Sequence, residues 1–182
     1  MKCVDLSKFS NKFYKPAGSI KKGLWWMASV LLFKSPLPCL YGFKKMLLMI
    51  FGAKIGKRFV IKPNVKIKYP WFLEAGDDVW IGEGVWIDNL TMVRIGNNVC
   101  ISQGVYVMTG SHDYKKETFD LVLKEVSVKD GAWIGAMSVV CLGVTINECS
   151  VINAGSVVTK DTTAYTIYHG VPAIAVRKRV ID

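Results

Sequence analysis

The stretch VKDGAWIGAMSVVCLGVTINECSVINAGSVV, from Val128 to Val158, decides the fold. An aliphatic residue returns at every sixth position, and a small or β-branched residue stands four positions after each of the first five. The aliphatic positions are Val128, Ile134, Val140, Ile146, Ile152 and Val158, and the later positions are Ala132, Ser138, Val144, Ser150 and Ser156. Since an α-helix repeats every 3.6 residues and a strand every 2, a period of six indicates a solenoid. Each unit predicts one short strand and one corner, and three units close a triangular coil.

The same period continues upstream in three blocks, which predicts about five coils in all. The inward positions of these blocks are Ile55, Ile61, Ile67, Ala75, Ile81, Ile87, Ile95, Ile101 and Val107, and the positions four residues later include Trp71 and Thr91. Consecutive blocks are offset by two extra residues, at 73–74 and 93–94, which we interpret as enlarged corners. The phase then breaks for 21 residues between Val107 and Val128. We therefore expect residues 113–126 to leave the coil as a loop.

An apolar stretch, 24–52, precedes the first coil. Lys34 and the Pro36/Pro38 pair divide it, and neither half reaches the roughly 20 uninterrupted apolar residues of a membrane-spanning helix. We expect two short helices with a Pro-rich break, which cap the open first coil. The stretch also has the aromatic and basic side chains of a helix that lies on a membrane surface. These side chains are Lys21, Lys22, Trp25, Trp26, Phe33, Tyr41, Phe43, Lys44 and Lys45.

The composition fits one domain, because a chain of 182 residues that is 51% hydrophobic can bury a sizeable core. We expect a helical cap at 1–54, the solenoid at 55–163, and a C-terminal strand and tail at 164–182. Five cysteines without metal-ligand spacing, and no evident cleavable signal, indicate free thiols in a reducing compartment and hence a cytoplasmic location.

The net charge of +10 is scattered along the chain and accompanies no nucleic-acid-binding motif, so we expect no nucleic-acid partner. A basic surface also suits the phosphates of a coenzyme A ester or an anionic membrane leaflet, and it is consistent with peripheral contact with the inner face of a membrane.

The two histidines stand in different contexts. His112 lies in MTGSHDY, where the coil gives way to the loop, and His169 lies in YHGVP near the C-terminus. Solenoids with this six-residue period mostly serve acyl transfer from a CoA thioester. Moving an acyl group from a thioester to a hydroxyl needs proximity, a base for the hydroxyl proton and a donor for the developing oxyanion. A neutral imidazole is a good base near pH 7, and a loop that leaves a rigid coil borders a groove. We therefore predict His112 as a general base and His169 as a structural residue.

These motifs resemble one family of enzymes. The six-residue period, the TGSHDY loop, the runs DGAWIGAMSVVCLGVTI and INAGSVVTKD, and the GVPA turn resemble the left-handed β-helix hexapeptide-repeat acyltransferases. Among these, the chain is similar to the maltose and galactoside O-acetyltransferases. It is more similar to the colanic acid biosynthesis acetyltransferase group, through FYKPAGS, FKSPLP, FGAKIGK, IKPNVKIKYPW and VWIGEGVWIDNL. The resemblance covers nearly the whole chain and implies an all-β-dominated, left-handed parallel β-helix.

The resemblance also implies roles for single residues. His112 matches the general base, and an acetyl-CoA groove is expected between neighbouring subunits of a homotrimer. Five residues match positions that line this groove: Ala136, Ala154, Thr159, Lys160 and Arg177. Ile174 stands where the family often has a second basic residue. On the acceptor side, Asn89 matches a position that contacts sugar hydroxyls, and its neighbour Asp88 is a weaker match. No metal is implied.

The sequence therefore predicts an acetyl-CoA-dependent O-acetyltransferase that acts on a sugar hydroxyl in exopolysaccharide biosynthesis. The acetyl group would pass directly to the acceptor, with no covalent acetyl-enzyme. An amine acceptor stays open, because the motifs specify the donor better than the acceptor, and so does a non-catalytic β-helix scaffold. A zinc hydratase of this fold fits poorly, because such sites use three histidines and the chain has two.

Overall fold

In the computed structural model, which describes residues 3–33 and 41–181, the chain forms a parallel β-solenoid preceded by two short α-helices. The first sheet contains β1 (Lys54–Ile55), β4 (Leu73–Ala75), β7 (Val93–Ile95), β12 (Val126–Val128) and β15 (Thr145–Ile146). The second sheet contains β2 (Val60–Ile61), β5 (Trp80–Ile81), β8 (Cys100–Ile101), β13 (Trp133–Ile134), β16 (Val151–Ile152), β18 (Thr166–His169) and β19 (Ile174–Lys178). The third sheet contains β3 (Lys66–Ile67), β6 (Trp86–Asp88), β9 (Tyr106–Met108), β14 (Val139–Val140) and β17 (Val157–Val158). Strands pair in parallel within each sheet, except that β19 is antiparallel to β18. The predicted solenoid is confirmed, with five complete coils and one strand of a sixth, β18 in the second sheet.

The core lies inside the coils and follows the six-residue period. Every predicted inward residue from Ile61 to Val158 is buried, whereas Ile55 at the capped end is half-buried. The buried corner serines satisfy their hydroxyl groups locally. Ser138 Oγ donates to the carbonyl of Asn153 at 3.0 Å, and Ser150 Oγ donates to that of Thr163 at 2.9 Å. Small residues are therefore accommodated at corners because each hydroxyl has a backbone partner.

The coils differ in length at one corner only. The registered positions Ile55, Ala75, Ile95, Val128 and Ile146 are 20, 20, 33 and 18 residues apart. The corners from the first to the second sheet and from the second to the third keep a constant length, so all the extra residues lie between the third sheet and the first. The structure places them at 68–72, which includes a 3₁₀ turn at Pro70–Phe72, and at 89–92. The predicted positions 73–74 and 93–94 are wrong in detail, because these residues belong to β4 and β7.

The two helices cover the open first coil. Helix α1 (Ser19–Ala28) continues as a π-helical turn over Ser29–Phe33, and α2 is Tyr41–Ile50. Trp25, Phe33 and Leu48 are buried in one core with the inward residues of the coils, and α2 contacts β1 and β2. The predicted Pro-rich break lies outside the described residues. Within the described ranges, no helix is long and apolar enough to span a membrane.

The 33-residue interval contains a β-hairpin made of β10 (Gly110–His112) and β11 (Leu121–Leu123). The excursion therefore begins before the predicted limit of 113, and Val126 already pairs with Val93 in the first sheet. The N-terminal segment packs on this hairpin: the Asp5 amide donates to the carbonyl of Glu117 at 2.9 Å, and Lys8 forms an ion pair with the Glu117 carboxylate at 2.5 Å. We call residues 3–14 the N-terminal strap.

Candidate functional site

His112 is the last residue of β10, and its ring is held by three contacts. Its Nδ1 lies 2.9 Å from the carbonyl oxygen of Phe119. The ring stacks on Phe119, with centroids 4.3 Å and planes 2° apart, and Phe9 of the strap packs edge-on at 5.4 Å. Because a carbonyl oxygen only accepts hydrogen bonds, Nδ1 is the donor and Nε2 is the unprotonated nitrogen of the neutral ring. The surroundings thus hold the imidazole in the tautomer that a base at Nε2 requires.

His112 lines a cavity of about 530 Å³, which we call the His112 cavity. It lies between the hairpin, the N-terminal strap and the two widened corners, and its size is in the range of small-molecule sites. Its walls are Phe9, Asn11, Tyr14, Pro16, Lys22, Lys68, Tyr69, Leu90, His112 and Leu121. Residues of the strap and of the two widened corners thus form most of the cavity wall.

Tyr14 anchors the strap to the solenoid. Its hydroxyl donates to the carbonyl of Leu90 at 2.5 Å. Burial raises the pKa of Tyr14, and nearby Tyr69 and Asp88 add to the effect. The phenol therefore stays protonated and keeps its donor role across the working pH range.

Asp88, one of the predicted acceptor residues, lies behind the cavity wall. Its Oδ1 is 2.9 Å from Lys68 Nζ, an ion pair without hydrogen-bond alignment, and its Oδ2 accepts from the Tyr106 hydroxyl at 3.3 Å. Burial raises the pKa of Tyr106, and the Asp88 carboxylate contributes to the increase. Asp88 thus positions Lys68, which does line the cavity.

Asn89, the other predicted acceptor residue, is fully buried. Its Nδ2 donates to the carbonyls of Tyr69 at 2.7 Å and Phe72 at 3.1 Å, and its Oδ1 accepts from the Tyr69 amide at 3.0 Å. All three bonds close the widened corner of the preceding coil. Asn89 therefore offers no free polar atom to an acceptor, and this geometry favours a structural role over the predicted contact with sugar hydroxyls.

The residues predicted to bind the donor lie at several places on the solenoid, and none of them lines the His112 cavity. Ala136 and Ala154 occupy neighbouring corners between the second and third sheets, whereas His112 leaves the edge between the third sheet and the first. The two corners stack closely, since a Cβ on Gly135 would be 2.6 Å from the Ala154 amide nitrogen. Thr159 and Lys160 are exposed after β17. Arg177 is exposed in β19, where it pairs with Ile167. One chain therefore does not bring His112 and the two alanine corners together.

The remaining candidates do not form a second centre. His169 is exposed at the end of β18 and does not line the His112 cavity. Across residues 3–33 and 41–181, no group of His, Cys, Asp and Glu side chains could hold a metal ion. Cys3, Cys100, Cys141 and Cys149 are free thiols, and burial raises the pKa of Cys100 and of Cys141. Cys39 lies outside the described residues.

The period of the coils does not reveal several residues of the cavity. Phe9 and Tyr14 belong to a polar N-terminus without periodicity, and Lys22 lies on the cap. The only sequence signal for Lys68 and Tyr69 is their place in the first interval longer than six residues. Such an interval marks an irregular corner, but it does not say which side chains line a cavity there.

No protein-family model matches the chain. The chain is 39% identical over 177 residues, 97% of each chain, to the Escherichia coli protein assigned as a colanic acid biosynthesis acetyltransferase. It is 31% identical over 135 residues to galactoside O-acetyltransferase of Escherichia coli. This match covers 69% of this chain and 64% of that protein. The fold matches a hexapeptide-repeat acetyltransferase from Vibrio cholerae, solved with acetyl-CoA, with a TM-score of 0.81 and 22% identity over 92% of this chain and 93% of that chain.

Proposed function

The chain belongs to the hexapeptide-repeat acetyltransferases, in the colanic acid biosynthesis group, and on this premise we propose that it transfers acetyl from acetyl-CoA to a sugar hydroxyl in exopolysaccharide biosynthesis. The observation that carries the proposal is the orientation of His112. The Phe119 carbonyl accepts a hydrogen bond from Nδ1–H, so Nε2 is the nitrogen that can act as the base at the wall of a cavity of about 530 Å³. The structural neighbour solved with acetyl-CoA supports the donor, and the similarity to galactoside O-acetyltransferase supports a sugar as the acceptor.

His112 acts by removing one proton. Nε2 takes the proton of the acceptor hydroxyl as its oxygen forms a bond to the acetyl carbonyl carbon. The bond between that carbon and the sulfur then breaks, and the imidazolium returns the proton to the departing thiolate of CoA. Phe119 and Phe9 keep the ring in place throughout, because one stacks on its face and the other packs on it edge-on. No cysteine nucleophile takes part, so the transfer is direct.

The donor binds along the corners that follow the hairpin in sequence. Ala136 and Ala154 leave the corner backbone open to CoA, while Thr159, Lys160 and Arg177 contact its polar groups and phosphates. The two alanine corners lie on another edge of the solenoid from His112, which supports a site completed by a neighbouring subunit. Thr159 and Lys160 follow β17 at the edge between the third sheet and the first. Acceptor contacts come from the walls of the His112 cavity, with Asp88 acting through Lys68 and Asn89 shaping the corner.

The outer faces of the solenoid support a homotrimer. The first sheet presents charged side chains to solvent, and Glu74 bridges Lys54 and Arg94. The second sheet instead presents a column of mainly apolar residues: Val60, Trp80, Cys100, Trp133 and Ile167. Trp80 is 60% exposed and Trp133 is 47% exposed in one chain. Exposed aromatic columns of this kind mark subunit contacts. Light scattering should give three times the 20.3 kDa chain mass, and Trp133→Glu should lower it.

The helical cap supports contact with the inner face of the membrane in a cytoplasmic protein. Ile20, Trp26, Leu31, Met46 and Ile50 are exposed apolar residues of the cap. The exposed Lys21 accompanies them on α1, and apolar and basic side chains together are the combination of an interfacial helix. Sedimentation with anionic vesicles, compared with neutral ones, measures this contact.

One assay tests the catalytic proposal. Release of CoA thiol from acetyl-CoA is followed with monosaccharides, nucleotide sugars, lipid-linked sugars and amino sugars as acceptors, and each product is analysed for mass and linkage. His112→Ala should lower the rate by about 10²–10⁴-fold, the usual contribution of a general base, whereas the matched control His169→Ala should keep it. A rate near that of the wild type in His112→Ala would overturn the proposed role. If only amines are acetylated, the acceptor is an amine and not a sugar hydroxyl. If CoA does not raise the melting temperature, the protein is a non-catalytic scaffold.

A further inference from the structure

We propose that Lys22 and Lys68 form a phosphate-binding subsite beside His112, so that the acceptor is a sugar carrying a phosphate or diphosphate group. The inference rests on the proposed function, because it describes the acceptor of the same reaction. It starts from two neighbouring cavities. A second cavity of about 340 Å³ borders the His112 cavity, and Lys22, Lys68 and Tyr69 line both. The two lysines therefore lie where the cavities join.

One buried hydrogen bond joins the two elements that carry Lys22 and Lys68. Trp25, three residues after Lys22 on α1, donates from its buried indole Nε1 to the carbonyl of Ile67 at 3.0 Å. Ile67 is the residue directly before Lys68. This single hydrogen bond ties the helix that carries one lysine to the corner that carries the other, so their proximity is a built feature of the fold.

The charges at the junction favour an anion. Among the described residues that line the two cavities, Lys22 and Lys68 are cationic and none is Asp or Glu. Asp88 pairs with Lys68 from behind and satisfies part of its charge. Lys22 is half-buried, and no side chain in the described part of the chain pairs with its ammonium group. A phosphate oxygen that bridges the two ammonium groups would supply the missing partner, since lysines bind phosphate as point charges.

The geometry also orients the acceptor. A phosphate at the junction has the His112 cavity on one side, which receives the sugar. On the other side the second cavity ends at Trp25 and Trp26, and Trp26 is 68% exposed. The group on the far side of the phosphate would therefore contact aromatic surface. A polyprenyl chain on a lipid-linked sugar and the base of a nucleoside diphosphate sugar both have this chemistry, and the experiment separates them.

The first measurement isolates the subsite. Inorganic pyrophosphate is titrated by calorimetry into protein saturated with CoA, so that the donor site is already filled. The double variant Lys22→Gln/Lys68→Gln should weaken binding by about tenfold or more, as expected for loss of charge-assisted bonds. The control Lys57→Gln/Lys115→Gln removes the same charge from exposed positions and should stay within about twofold. Absence of pyrophosphate binding by the wild type, or equal losses in both double variants, would overturn the subsite.

The second measurement compares one sugar in three forms: free, as a nucleoside diphosphate sugar, and as a polyprenyl diphosphate sugar in vesicles. The wild type should prefer a phosphorylated form in kcat/KM by about tenfold or more, and the Lys22→Gln/Lys68→Gln variant should lose that preference. A larger preference in vesicles identifies the lipid-linked source, and a larger preference in solution identifies the nucleotide. Equal kcat/KM for all three forms overturns the subsite and leaves the proposed function standing. Absence of His112-dependent transfer to every form overturns the proposed function, while the pyrophosphate titration still tests the subsite.

Discussion

The C-terminal and N-terminal coils have the same strands but different corners. In chain order, the first two coils between Ile55 and Ile95 take 20 residues each, and the coil that contains the hairpin takes 33. From Val128 onward the coil closes in 18 residues. Every extra residue lies at the edge between the third and first sheets, and that edge carries the His112 cavity. The difference shows that the regular repeat supplies a rigid scaffold and that the departures from it, confined to one edge, build the candidate site.

The comparison requires that the strands of both halves contribute equally to stability, so that the halves differ only at their corners. Ile87 in the N-terminal half and Ile134 in the C-terminal half are both fully buried at inward positions, in the third and the second sheet respectively. Replacing either by Ala should therefore lower the free energy of unfolding by about 3 kcal/mol, within the range for buried Ile to Ala. Denaturant unfolding of the two variants measures this. A much smaller cost for Ile87→Ala would mean that the N-terminal coils are loosely packed, and the comparison would break.

The next largest effect concerns how a widened corner is held. Asn89→Ala leaves two carbonyls and one amide of the 69–72 corner without partners, so we expect a loss of about 2 kcal/mol. It should also lower acetyl transfer, because the same corner carries Lys68 and Tyr69. The control Asn153→Ala removes an exposed side chain from a regular corner and should change stability by less than about 0.5 kcal/mol. Equal costs would mean that Asn89 does not support the enlarged corner.

The six-residue period predicts the coils because it reports a local property, the burial of one side chain per strand. It fails where contacts join distant segments. Trp71 and Thr91 continue the pattern in sequence but are only half-buried, because they lie in the widened corners. The interval of eight residues between Ile67 and Ala75 shows that two residues are extra, yet the pattern alone cannot locate them within the corner. The six-residue pattern also does not predict the N-terminal strap, because Phe9 contacts His112 through tertiary packing.

The strap should affect chemistry more than stability, since it covers the irregular edge alone. Phe9→Ala removes the edge-on contact with His112, and we expect kcat/KM to fall by about tenfold, which corresponds to the upper range for one aromatic pair. The melting temperature should stay close to that of the wild type. Phe13→Ala is the matched control, because Phe13 is 65% exposed and does not line the cavity. If both variants lose activity equally, the strap does not act through the histidine.

The smallest effect distinguishes the capped end of the solenoid from the coil corners, whose buried serines have hydrogen-bond partners. Lys44 on α2 is fully buried, its Nζ has no hydrogen-bond partner in the described part of the chain, and it lies 5.9 Å from the Phe33 ring centroid. Burial lowers the pKa of Lys44, so the folded state holds its proton less tightly than the unfolded chain. Lys44→Met should therefore raise the free energy of unfolding by about 1 kcal/mol at neutral pH, because an apolar side chain replaces an unsatisfied polar one.

The pH dependence of this gain gives the sharper test. Between the lowered pKa of Lys44 and the ordinary lysine value of about 10.4, the unfolded chain binds a proton that the folded protein does not. The contribution of Lys44 to wild-type stability therefore becomes less unfavourable as the pH rises through this window. The advantage of Lys44→Met, measured by denaturant unfolding from pH 7 to pH 10, should shrink accordingly. A constant advantage would mean that the amine titrates alike in both states, and a loss of stability at neutral pH would mean that the cap satisfies this lysine as fully as the coils satisfy their serines.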